Sequence, residues 1–311
     1  MYVIKRVFAL LIVLVLSSFA VFGGMYLAPG SPEQFLVQGR TVTPEVLASI
    51  RAQYNLDDPF LVRYGNWIGA AVQGDFGQSL VNRQEVAQLL ADRLPTTIML
   101  VAYAAVLIVV LGVSLGIVGG LGGGIVEKAV LFFSNLGFAV PTFFAALLLM
   151  SIFGVTLGWF PVYGSGEGLL GRLHHLSLPA FALALPSIAV ISRVTRTAVV
   201  EEKDSEHVQM ALARGVPPGL VRRRHIIRNS MLPVTTAVGV HLAALMVGAF
   251  VVEYAFTLDG IGSLLVNSIQ RKDFAVVQAV ALILVTVFGV VNLVVDLLYS
   301  LIDPRVRIAG R

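Results

Sequence analysis

Glu206-His-Val-Gln-Met-Ala-Leu-Ala-Arg-Gly215-Val-Pro-Pro-Gly-Leu-Val-Arg-Arg-Arg-His-Ile-Ile-Arg-Asn-Ser-Met-Leu-Pro233 is a polar, basic run between two hydrophobic spans, in a chain that is otherwise 57% hydrophobic. Glu201 to Arg214 can form a helix, and Gly215 can end it by taking the left-handed C′ position. Pro217-Pro218 preset the first turn of a second short helix that carries Arg222, Arg223, Arg224 and Arg228. Two short helices about a glycine bend make a compact knob at the cytoplasmic face of a membrane.

The surrounding composition sets the solvent. Charged residues make up 13% of the chain and its mean hydropathy is +0.86, so most of it faces lipid. Six stretches are long enough to cross roughly 30 Å of hydrocarbon as helix. They are Val7–Ala28, Leu94–Val118, Ala129–Ile152, Leu176–Ser192, Leu232–Val252 and Phe274–Tyr299. The first follows Lys5-Arg6, but its uncharged run of 22 residues and the lack of a clean small-x-small site read as a retained anchor, not a cleaved signal. With the N-terminus inside, 14 of the 22 Lys and Arg residues fall on the cytoplasmic side, eight of them between Arg193 and Arg228. The positive-inside bias therefore puts the knob and both termini in the cytoplasm.

Residues 30–93 form an extracytoplasmic insert. Thr43-Pro44-Glu45 reads as an N-cap with proline at N1, opening a helix to about Tyr54. Amphipathic stretches follow at Pro59–Val72 and Gln84–Arg93, separated by Gly74-Asp75-Phe76-Gly77. Such a helical cap either packs on the spans or docks a partner.

Several chemistries are excluded or weakly supported. The run Gly119-Gly120-Leu-Gly122-Gly123-Gly124 lacks the Lys-Ser/Thr of a phosphate-cradling loop and reads as a tight turn between spans two and three. No nucleotide site is encoded, and without cysteine there is no disulfide, thiolate cluster or thiol nucleophile. His174-His175 stands in the outer loop before span four, where a solvated pair and a metal site are the alternatives, and the pair lacks further ligands. Inside the spans, His241 either lines a pathway or hydrogen-bonds a neighbouring helix, while Glu253 and Asp296 lie near helix ends. Pro141 in span three, Pro179 and Pro186 in span four and Pro233 at the start of span five mark kinks or starts, so span four is expected to be short and irregular.

The chain resembles the first permease subunit of the oligopeptide/dipeptide/nickel branch of ABC importers. The likeness rests on Ala211-x-x-x-Gly215, His225, Arg228, Asn229 and Leu232-Pro233, and on motifs spread over nearly the whole length. These include Pro29-Gly30-Ser31-Pro32, Leu56-Asp57-Asp58-Pro59, Arg63-Tyr64 with Trp67, Gly74-Asp75-Phe76-Gly77-Gln78-Ser79, Arg93-Leu94-Pro95-x-Thr97 and Pro161-Val162. Glu253-x-x-Phe256, Gly260-Ile261-Gly262 and Asp296-x-x-Tyr299-x-x-x-Asp303-Pro304-Arg305 complete the set. Ser31, Glu85 and Asp259 depart from the family pattern on the outer side, and Gln209-Met210-Ala211 replaces Glu-Ala-Ala in the knob.

The resemblance implies an all-α integral-membrane permease of about six transmembrane helices, like type I ABC importers, with a small helical extracytoplasmic insert. Its expected parts are an anchor at 1–29, the insert at 30–93, and a core at 94–311 containing a coupling loop at 199–231. It would form half of a translocation pathway for di- or oligopeptides or a related solute, in the bacterial inner membrane. Partners implied are a second homologous permease, two ATPase subunits, an extracytoplasmic substrate-binding protein and the lipid bilayer, with no nucleic acid. ATP and Mg would be bound by the ATPase subunits, so the chain itself holds no cofactor, metal or catalytic residue and is no enzyme. Ala211, Gly215, Pro217, Leu220, Arg223, His225, Arg228, Asn229 and Pro233 would couple to the ATPase, and the knob's arginines could also meet anionic lipid. Asp57, Asp58, Asp75 and Asp259 would contact the binding protein, and His241 and Glu253 are pathway candidates. A self-sufficient secondary transporter or channel is the alternative. It calls for coupled intramembrane charges or an internal repeat, and neither stands out. An intramembrane hydrolase would need a paired nucleophile and base, which lone His241 does not supply.

Overall fold

The computed structural model describes residues 2–27, 45, 57–79 and 81–302. These residues are helical apart from connecting turns and one isolated antiparallel bridge between Gln78 and Glu85. In chain order the helices are α1 (Tyr2–Leu27), α2 (Phe60–Val72), α3 (Val86–Leu107), α4 (Val113–Gly122), α5 (Gly124–Ala139), α6 (Thr142–Leu149) and α7 (Gly168–Lys203). They continue with α8 (Glu206–Ala213), α9 (Pro218–Val221), α10 (Arg228–Ala255), α11 (Ile261–Gln270) and α12 (Phe274–Ile302). Wide π-helical stretches join α3 to α4 (Ile108–Gly112), extend α6 (Met150–Thr156) and join α9 to α10 (Arg222–Ile227). The helix expected at Thr43–Tyr54, Ser31, the side chain of Asp296 and the closing Asp303-Pro304-Arg305 lie outside the described residues.

Four stretches are unbroken and apolar enough to cross a bilayer: Arg6–Gly24, Val86–Gly122, Gly168–Lys203 and Phe274–Leu293. Two more qualify as bent pairs, Gly124–Ala139 with Thr142–Thr156 at 105° and Pro218–Leu242 with Ala244–Ala255 at 47°. Each expected span overlaps one of these four stretches or two bent pairs, giving an all-α multi-span membrane protein. The 105° bend has a local cause. Val140 precedes proline and is held extended (φ −82°, ψ 121°), and Pro141 then caps α6 instead of continuing α5.

The chain divides into two compact units. The first joins Met1–Pro95 to Gly260–Val294, a grouping that cuts across the sequence order of anchor, insert and core. Phe19 and Phe22 of α1 meet Phe60 and Tyr64 of α2 edge-on at 5.3–5.7 Å between ring centroids. Ser18 Oγ lies 2.7 Å from Tyr64 OH beside them. Val86, Leu89 and Leu90 bury against Ile261, Leu264, Val276 and Val280. Gly289 allows α12 to approach α1, since a Cβ there would stand 2.2 Å from Leu10 Cδ1. Gln84–Arg93, expected as a separate helix, opens α3, which runs through Pro95 without a stop. The loop before it is pinned from afar: buried Ser79 Oγ donates to the buried carboxylate of Asp273 at 2.5 Å.

The second unit comprises Thr96–Asp259 with Val295–Arg311, and α7 is its axis. Expected to be short and irregular, α7 is instead a continuous helix of 36 residues with Pro179 and Pro186 inside it. Buried neighbours line most of its length, and membrane helices tolerate proline where surrounding structure re-satisfies the freed carbonyls. At about 1.5 Å per residue it far outruns the hydrocarbon core, so it carries its direction beyond the membrane. The glycine run also differs from the expected turn. Gly123 (φ +61°) and Gly124 (φ +53°) make the turn, whereas Gly119, Gly120 and Gly122 are helical. Gly112, Gly116 and Gly120, four residues apart, form a notch for α7. A Cβ on Gly116 would stand 2.3 Å from Thr195 Cβ, and one on Gly120 2.6 Å from Val199 Cγ1. This small-residue stripe lets two membrane helices touch backbone to side chain.

Candidate functional site

The knob grows from the end of α7. Asp204 and Ser205 turn the chain, and α8 starts with its Val208 turned inward, 1% exposed. At the far end of α8, Gly215 (φ +77°) donates from its N–H to Leu212 O at 3.0 Å, and Val216 donates to Ala211 O at 3.1 Å. This paired closure is a Schellman motif, with the left-handed glycine the sequence had placed there. Pro217 then caps α9 and Pro218 takes its first position.

Here one expectation is corrected. The second helix of the knob is not short: from Pro218 the chain stays helical into Ala255, so Pro233 sits inside α10 and does not open it. The reason is that the arginine-rich turn is π-helical and continues into the span without a break. The knob is thereby attached at both ends to long helices, α7 and α10.

Its interior is a small apolar core of Val199, Val208, Val221 and Ile226, with Ala211, Val216, Ile117 and Leu121 around it. A polar clasp closes the outside. Glu202 Oε1 lies 2.7 Å from His207 Nε2 and accepts from Asn229 Nδ2 at 3.0 Å, joining α7, α8 and α10. The His207 and His225 rings are 6.2 Å apart. Ser230 Oγ, buried, lies 3.1 Å from Ala198 O and 2.7 Å from Ile226 O. Farther in, Arg196 of α7 pairs with Glu127 of α5 beside the Gly123-Gly124 turn.

The anticipated coupling residues thus separate. Gly215, Pro217, Leu220, Arg223 and Arg228 are exposed on the knob, and Pro233 is exposed on α10. Ala211 and His225 are half-buried, and Asn229 serves the clasp. His207, read from the sequence as a hydrogen-bonding residue of the docking loop, does bond there, whereas sequence reasoning missed Glu202 and Val208, which build the knob, and the exposed Met210 and Leu212. The alternation of Val208 and Ala211 against Met210 and Leu212 was the available signal. The outward surface combines apolar Met210, Leu212 and Leu220 with Arg214, Arg222, Arg223, Arg224 and Arg228, an apolar patch with charged neighbours suited to protein docking.

The remaining candidates lie elsewhere. His241 on α10 sets its Nδ1 3.1 Å from Ser187 Oγ of α7, a hydrogen bond between neighbouring helices. Glu253 is fully buried and accepts from Thr97 Oγ1 at 2.6 Å, fastening α10 to α3. Asp57, Asp58, Asp75 and Asp259 are exposed, and Asp75 accepts from Gly77 N–H at 2.9 Å. His174 and His175 are not in a loop but in the first turns of α7. Their ring nitrogens face Trp159 O at 3.0 Å and Gly171 O at 2.9 Å, because the helix starts at Gly168, earlier than the apolar run. Among the described residues no group of three or more His, Asp or Glu side chains could hold a metal ion.

Residues 108–308 match the family described as the binding-protein-dependent transport system inner membrane component, and residues 1–101 match the N-terminal component of such systems. The chain belongs to this family. It is an inner-membrane, multi-pass permease of the ABC importer type, and its family works with an ATPase and a binding protein. The permease is 33% identical over 310 residues to a probable peptide ABC transporter permease, y4tP, of Sinorhizobium fredii, covering 98% of this chain and 99% of that one. It is 33% identical to the oligopeptide transport system permease AppB of Bacillus subtilis, at 98% and 99% coverage. It is 34% identical to the glutathione transport system permease GsiC of Escherichia coli K12, at 98% of each. Among solved structures, an amino acid ABC transporter shares the fold, with a TM-score of 0.53 and 17% identity over 70% of this chain and 94% of that one.

Proposed function

We propose that this permease forms half of a pathway importing peptides or a closely related small solute, paired with a second homologous permease and two ATPase subunits. ATP and Mg are bound on the ATPase subunits, and an extracytoplasmic binding protein delivers the solute. The observation that carries the coupling role is the Schellman-closed knob, built on its own apolar core and continuous with α7 and α10. A rigid body so attached passes a push from an ATPase cleft into two long helices as a rigid-body movement. The excess of Lys and Arg around it supports a cytoplasmic knob and cytoplasmic termini. Relatives named for peptide, oligopeptide and glutathione transport support the substrate class.

The test is a pull-down of the tagged permease in mild detergent, with mass spectrometry and an ATPase assay, comparing wild type with Gly215→Pro combined with Arg223→Glu. Recovery of a second permease and an ATPase with wild type, lost or uncoupled in the variant, is the expected result. Wild-type chain recovered alone, and still transporting without ATP, would overturn the reading in favour of a secondary transporter.

A further inference from the structure

Arg193 of α7 stands apart from the clasp of the knob. It is exposed, and its Nη2 donates to Asn135 Oδ1 of α5 at 2.5 Å, with its guanidinium carbon 6.0 Å from the centre of the Phe138 ring. The only acid on α5, Glu127, is taken by Arg196, and Arg193 has no carboxylate partner among the described residues. Asn135 is exposed as well, and its Nδ2 has no acceptor among them. The pair therefore offers several uncommitted N–H donors and one positive charge.

The direction of this side chain sets it apart from its neighbour. Ile117 and Leu121 of α4 pack on the core of the knob, so the Gly123-Gly124 turn that follows them marks the knob end of α5. Arg196 meets Glu127 in the first turn of α5, at that end. Arg193 is only three residues earlier on α7, yet it meets α5 eight residues beyond Glu127, at Asn135, and again at Phe138. At about 1.5 Å per residue their acceptors are separated by roughly 12 Å along α5, against roughly 4.5 Å between the two arginines along α7. Arg196 thus reaches toward the knob end, as a long cation does when it seeks water at a membrane surface, whereas Arg193 reaches the other way, into the apolar length of the helices. An arginine so placed avoids lipid chains and faces protein or a water-filled cavity. Pro186, Val190, Arg193 and Thr197 follow one another at helical spacing on a side of α7 that its neighbours leave half-buried or exposed.

We propose that Arg193, held by Asn135 and Phe138, lines the solute pathway and receives the carboxylate of the passing solute, which in a peptide is its C-terminal carboxylate. The proposal rests on the importer reading above and deepens it, by assigning a specificity contact within that pathway. Charge selects the occupant: a guanidinium binds a carboxylate through paired N–H bonds, and the Asn135 amide adds a donor beside it. The face of the Phe138 ring steadies the cation without neutralising it. Phe132, Leu136 and Phe138 are exposed on the same stretch of α5, and walls of such low polarity strengthen an ionic contact relative to open water. A single cation with no fixed counter-ion also lets the solute go again, as a transit point requires.

The experiment uses the assembled transporter in nanodiscs of zwitterionic lipid and exploits the absence of cysteine from the chain. Val190→Cys places a thiol one turn from Arg193. Its modification by an anionic and by a cationic methanethiosulfonate of similar size is followed by mass spectrometry, each rate being divided by that with a free thiol in solution. The anionic reagent should then be favoured by at least about tenfold, and the ratio should fall close to one when Arg193→Gln is added. Arg193→Lys should keep the preference, and Asn135→Ala should lower it. Trialanine at millimolar concentration should slow the reaction of the Val190→Cys protein, its C-terminal amide should not, and Arg193→Gln should abolish the difference. Absence of reaction with either reagent, while Met210→Cys on the knob reacts, would overturn the proposal by showing this face covered by lipid chains or protein. Reaction without a charge preference, or protection by trialanine no greater than by its amide, would overturn it as well. Loss of the preference on adding anionic lipid would assign Arg193 to a phosphate headgroup instead. Gel filtration of each variant reports assembly, and only assembled complexes are compared. If no second permease or ATPase assembles with the wild-type chain, the importer reading itself fails, a result distinct from any labelling pattern.

Discussion

Gly215, Gly116 and Thr97 show how single positions carry this permease. At Gly215 the backbone is left-handed, so Gly215→Ala should cost about 1 kcal/mol of local stability while leaving the docking side chains in place. The expected readout is a modest fall in coupled ATP hydrolysis with normal membrane insertion; complete loss of insertion would contradict this local role. Gly116 is held by space and not by torsion, since its missing Cβ would collide with Thr195 and with Ser192 O. Gly116→Leu should exceed the ~1–3 kcal/mol typical of overpacking and lower the thermal unfolding temperature in detergent by several degrees. Thr97→Val removes one donor to the fully buried carboxyl of Glu253. It should cost about 1–3 kcal/mol, and Thr97→Ser should restore most of that in the same thermal assay. An unchanged melting temperature for Thr97→Val would show that Glu253 is satisfied without it.

Among the elements, the knob and the bent pair α5–α6 stand out. The knob holds together through Val208 and its apolar neighbours more than through the partly exposed Glu202–His207–Asn229 clasp. Exposed ionic contacts contribute about 0–1 kcal/mol, whereas a deleted core side chain costs more. Val208→Ala should therefore impair coupling more strongly than Asn229→Ala when both are compared by ATPase assay at equal expression, and the reverse order would shift the weight to the clasp. The bend after Val140 opens an apolar groove of about 740 Å³ against α7, lined by side chains such as Phe133, Leu149, Phe181 and Ile188. Its lining is suited to lipid or another apolar helix.

At the scale of the whole molecule, topology is the property most open to a direct check. Because the chain has no cysteine, single replacements report cleanly. A membrane-impermeant maleimide should label Asp58→Cys in cells whose outer surface is accessible, and Met210→Cys only after the inner membrane is opened. Reversed labelling would invert the orientation and take the knob out of the cytoplasm. The two sites are exposed and lie in different compact units, so each variant tests sidedness with little disturbance of packing.

Sequence alone determined the all-helical membrane class, the regions that cross, the glycine closure of the knob and the proline break after α5. Each depends on local chemistry: apolar length matched to hydrocarbon, a left-handed residue that only glycine adopts without strain, and a ring that removes a donor. It misjudged α7 as short because the prolines, histidines and serines that interrupt its apolar run are accommodated by neighbouring helices, which no local pattern reveals. It read Gly119-Gly120 as a turn because glycine's other use, close helix contact, needs a partner surface, here Val130 and Val199. Only the tertiary structure decided the partners of Glu202, Thr97 and Asp273. Such contacts join residues up to 194 positions apart, and their energy comes from burial and hydrogen bonding that exist only once the helices have assembled.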